Sequence, residues 1–324
     1  MPHLREIKER GYLPPRNFRR MLMIGSLALG KVFLTNLKDI RKLNRMSTVY
    51  HPEYIRPPKR FELPPIDSSI KIEPSHEKYL RPTLFCNSEA KEVIALANAL
   101  RANTHSDWEF AEAAFEFAKR KLTLEMLPLD SVEQTLQRGT GTCIHEISVF
   151  VALCRAAGIK ARYKLYSLTM IDAWSETMVA DPLIKKWSDA MGYFMIHGEG
   201  EAYIDGKWVV GDVGPSPERQ AASGTPISRF GEDSIGMWFS AVPGTIMHVE
   251  SIPYGLNAMM RIVNHIAKPT VDKVNVSILN QINQGTKILA EKGEDVYDEE
   301  IRKSFKPKFP EPVLKKRNEI IFER

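Results

Sequence analysis

The sequence predicts a mixed fold in which a buried helix lies beside antiparallel strands, and three stretches predict it. In the first, Gly139 and Gly141 free the backbone ahead of a run whose apolar residues Ile144, Ile147, Val151 and Cys154 recur at intervals of three, four and three. That is the period of one helical face. Phe150 and Leu153 widen the face almost all round, as in a central helix, and Gly158 stands where a left-handed stop belongs. In the second, Tyr163 to Leu168 alternates polar and apolar residues, the pattern of a strand. In the third, Asp205-Gly206 between Tyr203-Ile204 and Trp208-Val209 is a two-residue hairpin signal best made as a type I′ turn.

Chemistry is concentrated in the first and third stretches. Cys143 falls at the start of the helix, where unpaired N–H groups and the helix dipole favour a thiolate over a thiol. A lone cysteine in a core helix is more often plain packing, so the hairpin has to carry the weight. With a type I′ turn, Ile204 faces Lys207, and each later pair has numbers that sum to 411, as 204 and 207 do. Glu199 then lies opposite Asp212 and His197 opposite Gly214. Alternation puts His197, Glu199, Glu201 and Tyr203 on one face with Trp208, Val210 and Asp212. His197 and Asp212 become diagonal neighbours, whereas a slip of one residue would part them. An imidazole held by a carboxylate is what a thiol needs as its general base.

Gly141-Thr142-Cys143, followed by Val149-Phe150-Val151-Ala152-Leu153-Cys154-Arg155-Ala156-Ala157-Gly158-Ile159-Lys160-Ala161-Arg162, resembles the core motif of transglutaminase-like proteins. The His197 strand, Asp205-Gly206, Trp208 and Asp212 resemble that family's second and third motifs at the usual spacing. The resemblance covers about residues 88 to 215. It implies an α+β, papain-like core with the nucleophile helix packed on an antiparallel sheet, and with N- and C-terminal extensions. It also implies Cys143 as nucleophile, His197 as base and Asp212 as its orienting partner. One departure stands out. The aromatic residue often found two positions after the family's histidine is Glu199 here, which removes the usual wall beside the imidazole. Trp108 lies where some relatives place an indole donor for the oxyanion, and the backbone N–H of Cys143 is the other expected donor.

Composition sets out the extensions. Residues 1–60 hold 14 Lys and Arg against 4 Asp and Glu, a balance of +10. The whole chain carries +5, so the remaining residues sum to −5 and charge is segregated. Met21 to Gly30 is apolar but too short to span a bilayer; a helix from about Phe18 to Asn44, amphipathic or core, is expected. The proline-rich stretch from Val49 to Pro82 reads as an extended linker around the domain. Residues 1–87 are thus a basic extension, 88–255 the catalytic domain, and 256–324 a mostly helical extension with a Pro269 break and a basic irregular tail from Lys303.

Within the domain, Val93 to Leu100 suggests a first helix. Ser106-Asp107-Trp108-Glu109 is a capping box that opens a second, and Ser131-Val132-Glu133-Gln134 opens a short third that ends in Gly139. Thr169 to Phe194, with a helix from about Pro182 to Met191, is an insertion placed to form a pocket wall or lid or simply further core. Trp238 to Val249 supplies another strand. His145 points to a different side of the helix from Cys143, and Glu146 is expected to be solvated or structural.

Composition excludes little but narrows the class. Hydrophobic content of 43% and charged content of 26% fit an ordinary globular protein. Three cysteines argue against a disulfide framework and for a reducing, cytoplasmic location, with peripheral membrane contact as the variant that the basic arm suggests. No phosphate-binding loop, dinucleotide fingerprint or zinc spacing is present, so no cofactor and no metal are expected, and the arm alone makes no nucleic-acid module. The expected activity is acyl transfer through a thioester acyl-enzyme, forming or exchanging amide bonds with a peptide or a carrier-bound acyl donor. Hydrolysis by a thiol peptidase or amidase is the alternative, and a transglutaminase-like module that only binds is the second. The arm, residues 1–60, would meet an acidic protein or a membrane surface.

Overall fold

The computed structural model describes residues 53–66, 75–170, 196–241, 245–266 and 268–307, with scattered positions between 19 and 38. Those scattered positions are helical, and Met23, Leu27, Leu34 and Leu37 among them are exposed. A core role for this stretch does not hold at the described positions. Its remainder lies outside the described residues, as do the helix expected over 182–191 and the tail beyond 307.

The proline-rich segment begins the continuous description. Residues 53–66 run without regular structure along the domain, held by Arg56 on Glu125, Arg60 on Glu218, and an edge-on contact of Phe61 with Phe117. Proline fixes φ and withholds an N–H, so side chains do the anchoring here. Helix α1 (Lys91–Arg101) buries Val93, Ala95, Leu96 and Ala97. Helix α2 (Asp107–Lys121) opens as its sequence requires: Glu109 N–H donates to Ser106 Oγ at 3.1 Å, and His105 N–H donates to Glu109 Oε2 at 2.7 Å. A short strand β1 (Thr123–Leu124) comes next. Helix α3 (Val132–Arg138) carries the Ser131–Gln134 capping box and stops at Gly139, whose φ is +77°.

Strand β2 (Thr140–Gly141) pairs in parallel with β1 and leads directly into α4 (Cys143–Ala156). Helix α4 is buried from Ile144 to Arg155, so apolar residues on every side give the central helix that the sequence implies. Arg155, a charge in that setting, donates to the carbonyls of Arg81, Ala161 and Glu250, which satisfies its buried guanidinium.

Behind α4 lies one antiparallel sheet: β3 (Ala161–Met170), β4 (Ile196–Ile204), β5 (Lys207–Gly211), β6 (Phe239–Ala241) and β7 (Met247–Val249). The order is β5-β4-β3-β6, with β7 also on β3. This is an α+β fold with a helix on an antiparallel sheet. The β4–β5 turn has Asp205 at φ +51° and Gly206 at +80°, both positive as type I′ requires. Its ladder runs from Ile204↔Lys207 to Gly200↔Gly211, the expected register. The region from 238 to 249 forms two short strands rather than one.

Sequence punctuation misses one later helix, α5 (Pro217–Ala222), while α8 (Glu294–Ser304) falls in the region expected to be mostly helical. Helix α5 begins with Ser216 Oγ accepting from Arg219 N–H inside the Gly/Ser/Pro-rich passage, and α8 closes the described chain. Between them, α6 (Tyr254–Ile266) and α7 (Lys268–Lys292) are separated beside Pro269. Helices α5 and α7 cross so closely that a Cβ on Gly285 would lie 1.6 Å from the Glu218 carbonyl oxygen; only glycine permits that approach.

Candidate active site

Cys143 is the first residue of α4, and its sulfur environment is set by what precedes the helix. Glu125 accepts both Arg56 nitrogens, at 2.8 and 2.9 Å, and bonds the Thr140 hydroxyl. Glu125 N–H donates to Gly141 O at 2.7 Å. The β1–β2 pair therefore fixes the chain two residues ahead of the thiol. Thr142 N–H donates to His145 Nδ1 at 3.0 Å, and the Thr142 hydroxyl meets the same nitrogen at 2.8 Å. His145 Nδ1 thus accepts, and Nε2 meets Asp130 twice, 3.1 Å from its backbone N–H and 3.1 Å from its Oδ1. His145 is buried and shapes the helix start from the side away from the thiol. Burial holds its imidazole below the ordinary histidine range despite Asp130.

His197 comes from the second residue of β4. Its Nε2 lies 3.2 Å from Asp212 Oδ1 and 3.3 Å from Oδ2, and Cys143 adjoins the ring, both bordering the space at Gly214. Nε2 being engaged with the carboxylate, Nδ1 is the nitrogen left to exchange a proton with the thiol. Burial alone would lower this imidazole, but Asp212 and then Cys143 outweigh it and push the pKa up to about 10. Asp212 is completely buried. Burial would raise its carboxyl, yet His197, Lys119 and the Gly214 N–H, 3.0 Å from Oδ1, hold it below the ordinary range. Gly214 is required by space: a Cβ there would lie 2.8 Å from His197 Cε1 and 3.2 Å from Cys143 Cβ.

The sequence-derived residues divide cleanly. Cys143, His197 and Asp212 come together. Trp108 does not join them: it is 37% exposed and packs edge-on against Phe230 at 5.1 Å. It stands eleven residues before Lys119, about 16 Å along α2 at 1.5 Å per residue, while Lys119 is the end of that helix near the site. The contacts that Trp108 makes among the described residues are packing ones, with Phe230 and against Gly231, and the helix-opening capping box explains its place without an oxyanion.

Three further charged groups border the site. Lys119 is buried and donates to Pro215 O at 2.6 Å, Gln220 Oε1 at 2.9 Å and Ser228 Oγ at 2.6 Å. Ser228 in turn donates to the Asp212 carbonyl, so Lys119 braces the segment that carries Asp212. Burial lowers its ammonium to about 8 against the pull of Asp212. Glu146, one helical turn past Cys143, is 2% exposed and not solvated. Its Oε2 has no hydrogen-bond partner among the described residues, and burial followed by Cys143 raises its carboxyl well above the ordinary range. Arg219 of α5, also buried, donates to Gly214 O; burial lowers its guanidinium to about 10 despite Glu146. The i, i+3 spacing of Cys143 and Glu146 is a signal that could have found the glutamate. Nothing local could have found Lys119 or Arg219, whose burial depends on segments far along the chain.

The arrangement is a thiol at a helix start, an imidazole beside it, and a buried carboxylate fixing that imidazole. Among the described residues no cluster of three or more His, Cys, Asp or Glu is arranged to hold a metal ion. Nor is any helix there long and apolar enough to cross a membrane. Residues 94–213 match the family model of the transglutaminase-like superfamily. No curated protein matches the chain. Among solved structures, a Cytophaga hutchinsonii protein described as a candidate cysteine protease is similar at 21% identity, with a TM-score of 0.32. That similarity spans 42% of this chain and 40% of the other.

Proposed function

From the transglutaminase-like character of residues 94–213, we propose that the protein is a cysteine-dependent enzyme that transfers acyl groups through a thioester on Cys143. The observation that carries this reading is the His197 ring, held through Nε2 by both Asp212 oxygens and bordering Cys143 across the space at Gly214. His197 already holds the proton taken from the Cys143 thiol, and the thiolate Sγ attacks the carbonyl carbon of an amide or thioester. The Cys143 backbone N–H, unpaired at the helix start, donates to the developing oxyanion. As the bond to the leaving group breaks, the imidazolium returns its proton to that amine or thiol. An acceptor amine then attacks the thioester and gives its proton to His197, and the C–S bond breaks to restore the thiolate beside the imidazolium. Asp212 orients the imidazole and stabilises its charged form throughout.

With water as acceptor, the same steps make a thiol peptidase or amidase. The transfer reading is favoured by the basic arm of residues 1–60, which suits delivery of an acyl group on an acidic carrier protein. The test is intact-protein mass spectrometry after mixing with a glutaminyl peptide or an acyl thioester, with and without a primary alkylamine. Transfer gives an acyl adduct on Cys143 that the amine discharges as amide product. Discharge at the same rate without amine makes the protein a hydrolase. Absence of any adduct, with the protein folded, would leave only the binding-module reading.

A further inference from the structure

Glu199 occupies the position where the sequence lacks the aromatic wall beside the histidine, and it is completely buried. A carboxylate in such a place is costly unless its oxygens are held. Oε1 is held by hydrogen bonds, accepting Ser234 N–H at 2.9 Å and the Ser234 hydroxyl in a shorter bond; Oε2 accepts no hydrogen bond among the described residues and is balanced by the Lys164 ammonium 2.7 Å away as an ion pair. Lys164 also meets Asp233 Oδ2 at 2.7 Å. Ser234 links Glu199 to the turn that feeds β6. Its carbonyl accepts the N–H groups of Met237, Trp238 and Phe239 at 3.1 to 3.2 Å, which closes that turn. Its hydroxyl meets Tyr166 OH at 2.8 Å, and Tyr166 is paired across the sheet with His197.

Both ends of this network are aromatic rings against the imidazole. The Phe239 centroid lies 4.5 Å from that of His197 at 49°, and the Tyr166 centroid lies 5.8 Å away at 77°. Trp238 and Leu168 pack beside the two rings and are buried with them.

We propose that Glu199 is a positioning residue for His197: by fixing Ser234 it assembles a clamp of Tyr166 and Phe239 that holds the imidazole between Asp212 and Cys143. The wall that the strand position itself does not provide is thus brought in from β3 and from a strand some forty positions later, with a carboxylate as its anchor. The inference rests on the proposed role of His197 as base, but the clamp has its own readout.

The test compares Glu199→Ala, Glu199→Gln and Phe239→Ala in the full chain by two measurements. One is the imidazole nitrogen spectrum of His197; the other is the rate of Cys143 alkylation by iodoacetamide, followed by peptide mass. In both alanine variants the His197 ring signals shift or broaden, and alkylation slows about tenfold, the equivalent of roughly 1.4 kcal/mol of lost positioning. Glu199→Gln keeps an oxygen for the Ser234 donors and restores most of the rate. A role in stability alone would lower the melting temperature and leave the ring signals of the folded protein unchanged. Unchanged ring signals and unchanged alkylation in folded Glu199→Ala and Phe239→Ala would overturn the clamp. If Glu199→Ala does not fold, Phe239→Ala and Phe239→Leu decide the matter. If wild-type Cys143 is no more reactive than Cys86 and Cys154, the proposed function fails, and the ring signals alone then judge the clamp.

Discussion

Two buried histidines, each with its own aspartate, neighbour Cys143, one in sequence and one in space, and their imidazoles are pushed in opposite directions. His145 sits two residues past the thiol, faces Asp130 and lies below the ordinary histidine range. His197 arrives from β4, faces Asp212 and is pushed up to about 10. Asp212 is completely buried, whereas the Asp130 side chain is 23% exposed and shared with Arg138. One ring nitrogen of His145 is also committed to accepting from Thr142, which a doubly protonated ring could not do. A histidine–aspartate contact does not by itself make a base. A fully desolvated carboxylate, a second nitrogen not committed to a backbone donor and a neighbouring thiol do.

The largest effect that should separate the pair comes from the nucleophile. Cys143→Ala should cut turnover by about 10³-fold or more in a folded protein, measured with the acyl donor that labels the wild type. Asp212→Asn should come next: the ring stays in place but loses the carboxylate that stabilises its charged form, for a loss of about 10²- to 10⁴-fold in kcat. Asp130→Asn, by the same assay, should change kcat by much less.

Stability against pH distinguishes the histidines by sign. The raised pKa of His197 gives a stabilising contribution that is fully present below the ordinary histidine value of 6.5 and is lost as pH rises through about 10. His145 is lowered, so the unfolded chain binds its proton first and stability falls as pH drops through 6.5. Melting curves across pH should therefore show the alkaline loss flattened in His197→Gln and the acid loss flattened in His145→Gln. Equal slopes in the two variants would break the contrast.

The smallest effect concerns the arm. Replacing Arg16, Arg19, Arg20, Arg41, Lys42 and Arg45 with glutamine should slow turnover of an acidic carrier-bound donor and leave a small uncharged donor nearly unchanged. Salt should depress only the wild type on the carrier, since such attraction fades over a Debye length of about 8–10 Å. Equal loss on both donors would mean that the arm is structural.

What the sequence makes legible is what local rules control. A type I′ turn sets register, so the Asp205-Gly206 dipeptide alone brings His197 near Asp212. Glycine stops and capping boxes mark α2, α3 and α4 within a residue or two. The surroundings of the triad are built otherwise. Glu146 is buried beside Arg219, which α5 brings in from far along the chain. Phe239 reaches His197 only because β6 adds to the far end of β3. The extension of β3 to Met170 likewise depends on that partner. Pairings between residues dozens of positions apart leave no periodic trace.

The most direct measurement is site-resolved iodoacetamide labelling at pH 6 of the three cysteines, in wild type and in His197→Gln. Cys86 and Cys154 are wholly buried, and burial pushes both thiols up, out of reach of ionisation near neutrality. Cys143 is the half-buried one and faces an imidazole that stays charged well above neutral pH. The account predicts that Cys143 is labelled far faster than the other two and that His197→Gln removes the advantage. Equal labelling of all three in the wild type, or a Cys143 rate indifferent to His197, would contradict it.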